Sequence, residues 1–180
     1  MDNKNSVFIA CSLDGYIADR DGGIDWLNAV PNPGQKDLGY IPFMQKIDAL
    51  LMGRKTFEKV LSFGIPWPYE KPVFVWSKTL EDLPVELYGK VELVKGSPRE
   101  VLNKINAKGF RQLYIDGGKT IQSFLEEDLV DEFILSKIPV ILGGGYPLFG
   151  DLPNLLEFSL VKSEVFLDQI VQDTYIRKRK

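Results

Sequence analysis

Two short stretches bring glycine, cations and hydroxyls together where a strand pattern gives way to a helix pattern: "LLMGRKTFE" (Leu50–Glu58) and "YIDGGKTIQSF" (Tyr114–Phe124). Gly53 is followed by Arg54, Lys55 and Thr56, and Gly117–Gly118 by Lys119, Thr120 and Ile121. Such a corner suits an anion. Glycine lets the ligand approach the backbone, the first helical amides are free donors, and the cations and hydroxyls add hydrogen bonds. Two adjacent cations at a helix N-terminus oppose the dipole, which is odd for a structural helix and natural beside phosphate. A Gly-Gly pair also serves as a plain tight turn, and a basic first turn can simply be solvated, so each stretch alone leaves both readings open. Two such corners, with Ser77–Lys78 after a further strand, offer what a ligand with several phosphates requires.

Gly118-Lys119-Thr120 also has the letters that close a P-loop. That loop needs glycine at position 113, where the chain has Leu113 inside a strand. The GxGxxG turn of dinucleotide folds is missing too, since Ser12–Tyr16 contains Gly15 alone. There is no His, which removes imidazole acid–base chemistry and the usual zinc sites, so no metal is expected. The lone Cys11, in "SVFIACS", reads as a small core residue. Proton chemistry is left to carboxylates, Tyr, Lys or water. Asp37 is the leading carboxylate: it falls in a helical pattern whose Leu38 and Ile41 would line an apolar pocket able to raise its pKa. It reads equally as an ordinary acid at a helix start, and Asp14 and Asp25 are rivals.

The elements that must position these groups follow from the pattern. At 180 residues, 44% hydrophobic and 26% charged, the chain is expected to form one domain, 1–180. Val7–Cys11 reads as a first strand, ending in the long Gly/Asp-rich loop "SLDGYIADRDGGIDWL". Helical spacing over Lys36–Ile47 leads into the buried strand "DALLMG", and a helix over Arg54–Ser62 follows. "KPVFVWS" and "KVELVKG" are further strands. "SPREVLNKINAKG" is a marked helix, with Ser97 as N-cap, Pro98 first inside, Glu100 completing a capping box and Gly109 past the end. "RQLYIDGG" is the fifth strand, and a helix spans Lys119–Glu126. "DEFILSKIPVIL", "LEFSLVKSEVFL" and "QIVQDTYIRK" then read as antiparallel strands closing the sheet. The fold class is α/β: three layers around a mixed, mostly parallel sheet with antiparallel C-terminal strands.

A net charge of −3 and a pI near 5.1 argue against a nucleic-acid surface. The one basic run, Arg177–Lys180, reads as a solvated chain end. Met1–Asn5 has no apolar signal region, and no apolar stretch approaches the ~18 residues that span a bilayer, so no membrane role and a cytoplasmic location are expected.

"SLDGYIA", "LMGRKTFE", "YIDGGKTIQSFL" and "DEFILSKIPVILGGGYPLF", in this order along nearly the whole chain, resemble the dihydrofolate reductase superfamily. The chain is most similar to the branch with the reductase domain of bacterial riboflavin biosynthesis. The resemblance implies a dihydrofolate-reductase-like fold that binds NADPH across the carboxyl edge of its sheet. Ala10 and Ile17 would border the nicotinamide, with Asp14-Gly15-Tyr16 as a mobile cover beside the substrate. Gly53, Arg54, Lys55 and Thr56 would hold the pyrophosphate and the adenosine 2′-phosphate, Ser77 and Lys78 would lie beside that phosphate, and Gly117, Gly118, Lys119, Thr120 and Ile121 would form the second pyrophosphate loop. On the substrate side, Asp37 would take the place of the acid that assists protonation, with Ile41 on the same helix.

The chain departs from true dihydrofolate reductases: no Pro-Trp pair follows the first loop, and "LGGGYPLF" belongs to the riboflavin-type branch. That branch reduces the ribosyl chain of an aminopyrimidine, normally beside a fused deaminase domain with zinc ligands, and these 180 residues contain neither such a stretch nor a His. The expectation is a stand-alone NADPH-dependent reductase of a pterin- or aminopyrimidine-type small molecule. The alternative is a nucleotide-binding protein of the same fold without turnover. The resembled branch often forms homodimers; "FILSKIPVIL" would suit a shared edge, and reads equally as core.

Overall fold

The computed structural model describes residues 3–179. Met1, Asp2 and Lys180, the extremes of the N-terminal stretch and of the basic C-terminal run, lie outside the described residues. The chain runs β1 (Lys4–Ser12), β2 (Tyr16–Ala18), α1 (Tyr40–Gln45), β3 (Ala49–Gly53), α2 (Arg54–Leu61), β4 (Val73–Trp76), β5 (Val91–Val94), α3 (Pro98–Ala107), β6 (Gln112–Asp116), α4 (Gly118–Glu126), β7 (Glu132–Ile138), β8 (Tyr146–Pro147), β9 (Phe158–Phe166) and β10 (Ile170–Arg177).

Eight strands form one sheet in the order β5-β4-β3-β6-β1-β7-β10-β9, and β2 pairs with β8 in a small separate ribbon. The strands from β5 to β7 are mutually parallel and nearly continuously apolar, as expected of strands covered on both faces. Alternate residues of β3 and β6 feed opposite layers. Ala49, Leu51, Leu113 and Ile115 pack with Val101 and Ile105 of α3 and with Ile121 and Phe124 of α4. Leu50, Met52 and Tyr114 pack with Phe43 of α1 and Phe57 of α2. The three-layer, mixed and mostly parallel sheet expected from the pattern is what forms.

Two local expectations change. "DEFILSKIPVIL" is not wholly antiparallel: its strand β7 runs parallel to β1, from Ser6↔Glu132 to Ser12↔Ile138, and only its other neighbour, β10, is antiparallel. The reason is α4, which crosses the sheet and returns the chain parallel, as βαβ connections do. Since β7 lies between β1 and β10, "FILSKIPVIL" is interior and offers no shared edge. The edges are β5 and β9, and β9 is joined to β10 by a tight hairpin in which Leu167 (φ 52°) and Asp168 (φ 57°) take the left-handed conformations of a type I′ turn.

The helix expected over Lys36–Ile47 is reduced to the six residues of α1. Gln35, Leu38 and Gly39 have φ of 47°, 51° and 87°, so the chain cannot enter a right-handed helix before Tyr40. The carboxylate of Asp37 instead accepts the Ile41 amide at 2.8 Å, capping the helix from outside.

Candidate active site

β3 and β6 are neighbours in register, Leu50↔Tyr114 to Met52↔Asp116, so the two glycine corners that follow them lie side by side. They interlock. A Cβ on Gly53 would sit 2.8 Å from Thr120 Oγ1, and one on Gly117, at φ 91°, would overlap Thr56 Oγ1. Each corner therefore needs glycine because the other's threonine fills the space. Neither α2 nor α4 has a side-chain cap or an acid in its first turn, which leaves first-turn amides available to a ligand.

Both N-termini open into a cleft of about 920 Å³ at the carboxyl ends of β1, β3, β4 and β6. Its walls are largely apolar, formed by Ile9, Ala10, Ile17, Ile24, Leu27, Trp76 and Tyr69 among others, while Arg54, Lys55 and Lys119 bring three cations to the helix starts and Lys59, in the last turn of α2, adds a fourth to the lining. Arg54 is preset by its neighbours: Nε donates to Glu58 Oε1 at 2.6 Å and Nη1 to Thr79 Oγ1 at 3.0 Å. Lys55 Nζ lies 5.2 Å from the centre of the Tyr146 ring, a cation–π contact at the cleft wall.

The far wall is a flap made of two loops. The carboxylate of Asp14 accepts the Ser12 hydroxyl at 2.6 Å, the Gly143 amide at 2.8 Å and the Leu142 amide at 3.1 Å. The Ser12 bond first, then these amides, holds the Asp14 carboxyl below its usual range. Arg20 donates to the Gly143 carbonyl at 2.9 Å, and the Leu148 amide donates to the Gly15 carbonyl at 2.9 Å. Between these ties, β2 pairs with β8, and Gln122 of α4 donates to the Pro147 carbonyl at 2.8 Å. Asp14 thus closes the flap from outside and does not face the cleft.

Three carboxylates line it; Asp21 and Glu58 are exposed, and Asp116 is half-buried. Asp116 ends β6 directly before the Gly117 corner and lines the cleft. Burial lifts its pKa to about 6, opposed by the Gly117 amide, which donates at 2.8 Å, and by the Tyr114 hydroxyl. Tyr40 and Tyr69 also feel it: burial first, and then the Asp116 charge, raise Tyr40 to about 12 and push Tyr69 upward as well.

Among the residues singled out in the sequence, the cleft gathers Ala10, Ile17, Gly53, Arg54, Lys55, Thr56, Gly117, Gly118, Lys119 and Thr120. The others lie elsewhere. Asp37 is exposed and occupied as the cap of α1, and Ile41 is 57% exposed. Ile121 faces inward from α4 into the core. Ser77 is buried in a turn, accepting the Thr79 and Leu80 amides, and Lys78 beside it points to solvent off the cleft. The sequence reading missed Asp116, Tyr69 and Tyr146 as wall residues. A carboxylate placed immediately before a glycine corner was the signal for Asp116; Tyr69 and Tyr146 stand in loops with no pattern to place them.

The family model of the RibD C-terminal domain matches residues 6–172. The chain is 35% identical over 179 residues to the uncharacterised protein YwjB of Bacillus subtilis strain 168, covering 98% of this chain and 99% of that one. A solved protein of Shewanella sp. PV-4, provisionally described as a riboflavin biosynthesis protein, is 55% identical, with coverage of 98% and 99% and a TM-score of 0.95. Two more distant structures bear on the fold alone. The Thermotoga maritima diaminohydroxyphosphoribosylaminopyrimidine deaminase/5-amino-6-(5-phosphoribosylamino)uracil reductase is 19% identical with a TM-score of 0.70, matching 98% of this chain and 57% of its own. Dihydrofolate reductase from Enterococcus faecalis, complexed with NADP(H) and RAB-propyl, is 17% identical with a TM-score of 0.67, covering 98% and 97%. The architecture is dihydrofolate-reductase-like.

Proposed function

The chain belongs to the RibD C-terminal domain family, and on that premise we propose that it is a cytoplasmic, NADPH-dependent reductase of a pterin- or aminopyrimidine-type substrate, working as one domain. The observation that carries this reading is the pair of interlocked glycine corners. Their uncapped helix starts and four nearby cations open into one cleft, at the end where the apolar wall of Ala10 and Ile17 begins. A long ligand with phosphates in the middle and at one end, and a flat ring at the other, suits that layout.

The bound cofactor supplies the hydride; the chain supplies binding, orientation and a proton. The amides after Gly53 and Gly117, with Thr56, Thr120 and Lys119, hold the pyrophosphate. Arg54, with Lys55 beside it, takes the additional phosphate that separates NADPH from NADH. Ile17 and Ala10 press on the nicotinamide, and the flap tied by Asp14 keeps water from the reacting faces. Asp116, rather than Asp37, holds the proton: it lines the cleft with its pKa raised to about 6, so an acid form persists toward neutral pH.

Titration with NADPH and NADH tests the reading. Micromolar or tighter NADPH binding, with much weaker NADH binding, is expected; indifference to both nucleotides would end it. NADPH oxidation against a panel of oxidised pterins, pyrimidine ribotides and small carbonyl compounds then finds the substrate. Tight NADPH binding with no turnover across the panel would favour the nucleotide-binding alternative.

A further inference from the structure

The nucleotide reading employs the glycine corners and the wall of Ala10 and Ile17, and leaves one part of the cleft without a task. Val60, Phe63 and Tyr69 line that part, beyond the far end of α2, where the helix has advanced about 9 Å from Arg54. Tyr69 stands there in a rigid setting. Pro66 and Pro68 restrict the backbone of its loop, and its ring meets Trp67 edge-on at 5.2 Å, which in turn meets Phe57 of α2 at 5.8 Å. The residue is half-buried, yet its hydroxyl has no hydrogen-bond partner among the described residues. Tyr114, in the same apolar cluster, differs: its hydroxyl donates to the Phe8 carbonyl at 2.9 Å. Tyr40, the other phenol that feels Asp116, is not part of the cleft lining.

Asp116 reaches the same compartment. It lies two residues after Tyr114 on β6, so both side chains project to the face that α1, α2 and the Tyr69 loop cover, and the Asp116 charge is felt at Tyr69. Two proton-bearing groups thus converge: the Asp116 carboxyl, and a phenol that burial and the Asp116 charge keep neutral. A hydroxyl held without a partner in an apolar wall forgoes the hydrogen bond it would make in water, so a ligand atom that accepts from it gains.

We propose that Tyr69 is a specificity-determining residue of this cleft, its hydroxyl donating a hydrogen bond to a ring carbonyl oxygen of the substrate. This rests on the reading above for the placement of the substrate. The substrate is then an oxo-heterocycle whose carbonyl stands beside a ring nitrogen: the oxygen accepts from Tyr69 and the nitrogen from the acid form of Asp116. An edge made only of amino groups would set donors against the Asp116 proton. Val60 and Phe63 offer apolar surface to the ring.

Calorimetric titration with 2-aminoquinazolin-4-one and with 2-aminoquinazoline, flat two-ring probes with and without the carbonyl, tests this without needing turnover. Tyr69→Phe keeps the ring and its stacking and removes only the hydroxyl. The wild-type chain should bind the oxo probe more tightly than its counterpart. Tyr69→Phe should weaken the oxo probe about 3- to 10-fold, the loss of one neutral hydrogen bond, and leave the other probe within about twofold. NADPH affinity of the same variant should be unchanged, because Tyr69 stands apart from the phosphate corners. A variant that binds the oxo probe as the wild type does overturns the proposal, as does an equal loss for both probes or binding of neither probe to the wild-type chain. So does a parallel loss of NADPH affinity, which would make Tyr69 a wall of the nucleotide site. Failure of the wild-type chain to bind NADPH would instead strike the reductase reading, and the two probes would still decide the role of Tyr69.

Discussion

The N-terminus of α3 and those of α2 and α4 face the same problem, backbone amides with no partner in the helix, and end differently. α3 closes its own start: Ser97 accepts the Glu100 amide, the Glu100 carboxylate accepts the Ser97 amide at 2.7 Å, and Pro98 removes a further donor. α2 and α4 begin at glycine, have no cap, and gather Arg54, Lys55 and Lys119 in their first turns. A helix that satisfies its own amides needs nothing else. One that leaves them open and adds cations is less stable alone and gains when an anion binds, so the difference separates a structural helix start from a binding one.

Five substitutions can break or sharpen that comparison. The largest effect is expected at the carboxylate between the open helix starts. Asp116→Asn should lower turnover by about 10²–10³-fold while NADPH affinity holds, whereas Asp37→Asn leaves turnover unchanged. Wild-type turnover should fall as pH rises through about 6, the value to which burial lifts Asp116, since the acid form is then lost. The stability sign follows from the same shift. A carboxyl group raised in the folded state stabilises fully below its ordinary value of 3.8, and this contribution disappears as pH rises through about 6. Asp116→Asn should flatten that decline in a denaturant series, and an unchanged pH profile for the variant would remove Asp116 as the acid.

Gly117→Ala comes next. A side chain at φ 91° costs about 1–2 kcal/mol, and the new Cβ overlaps Thr56 and pries the corners apart. NADPH affinity should drop roughly 10- to 100-fold by titration, an amount of binding energy near that of one or two charge-assisted hydrogen bonds. Arg54→Ala should weaken NADPH about tenfold and NADH little, the loss of one such bond; equal losses would mean that Arg54 does not reach the extra phosphate. The smallest change is at the capped helix. Ser97→Ala should cost about 1 kcal/mol in thermal stability and nothing in nucleotide affinity. If it weakened NADPH as Gly117→Ala does, the contrast between closed and open helix starts would lose its meaning.

Most of the fold was legible because it is written in short-range pattern: apolar runs, the Ser97–Glu100 box, and glycines placed between strand and helix. The two glycine corners were legible for the same reason, since glycine, cation and hydroxyl lie within five residues of each other. The carboxylates were not. Asp14, Asp37 and Asp116 each follow or precede a plausible element, and which of them meets the cleft depends on contacts far away in sequence. Asp14 is turned outward by amides of Leu142 and Gly143, and Asp37 is claimed by the helix start displaced to Tyr40. Asp116 reaches the cleft because β6 lies between β3 and β1.

The sequence by itself determined the alternation of strands and helices, the glycine corners and the absence of imidazole chemistry, all consequences of composition and of spacing within a few residues. Only the tertiary structure decided that Gly53 faces Thr120 while Gly117 faces Thr56, that β7 is interior while β5 and β9 are the edges, and that Asp116 is the half-buried carboxylate of the cleft. Strand order and burial are set by crossover connections and by competition for one core, and no local window of residues contains that information.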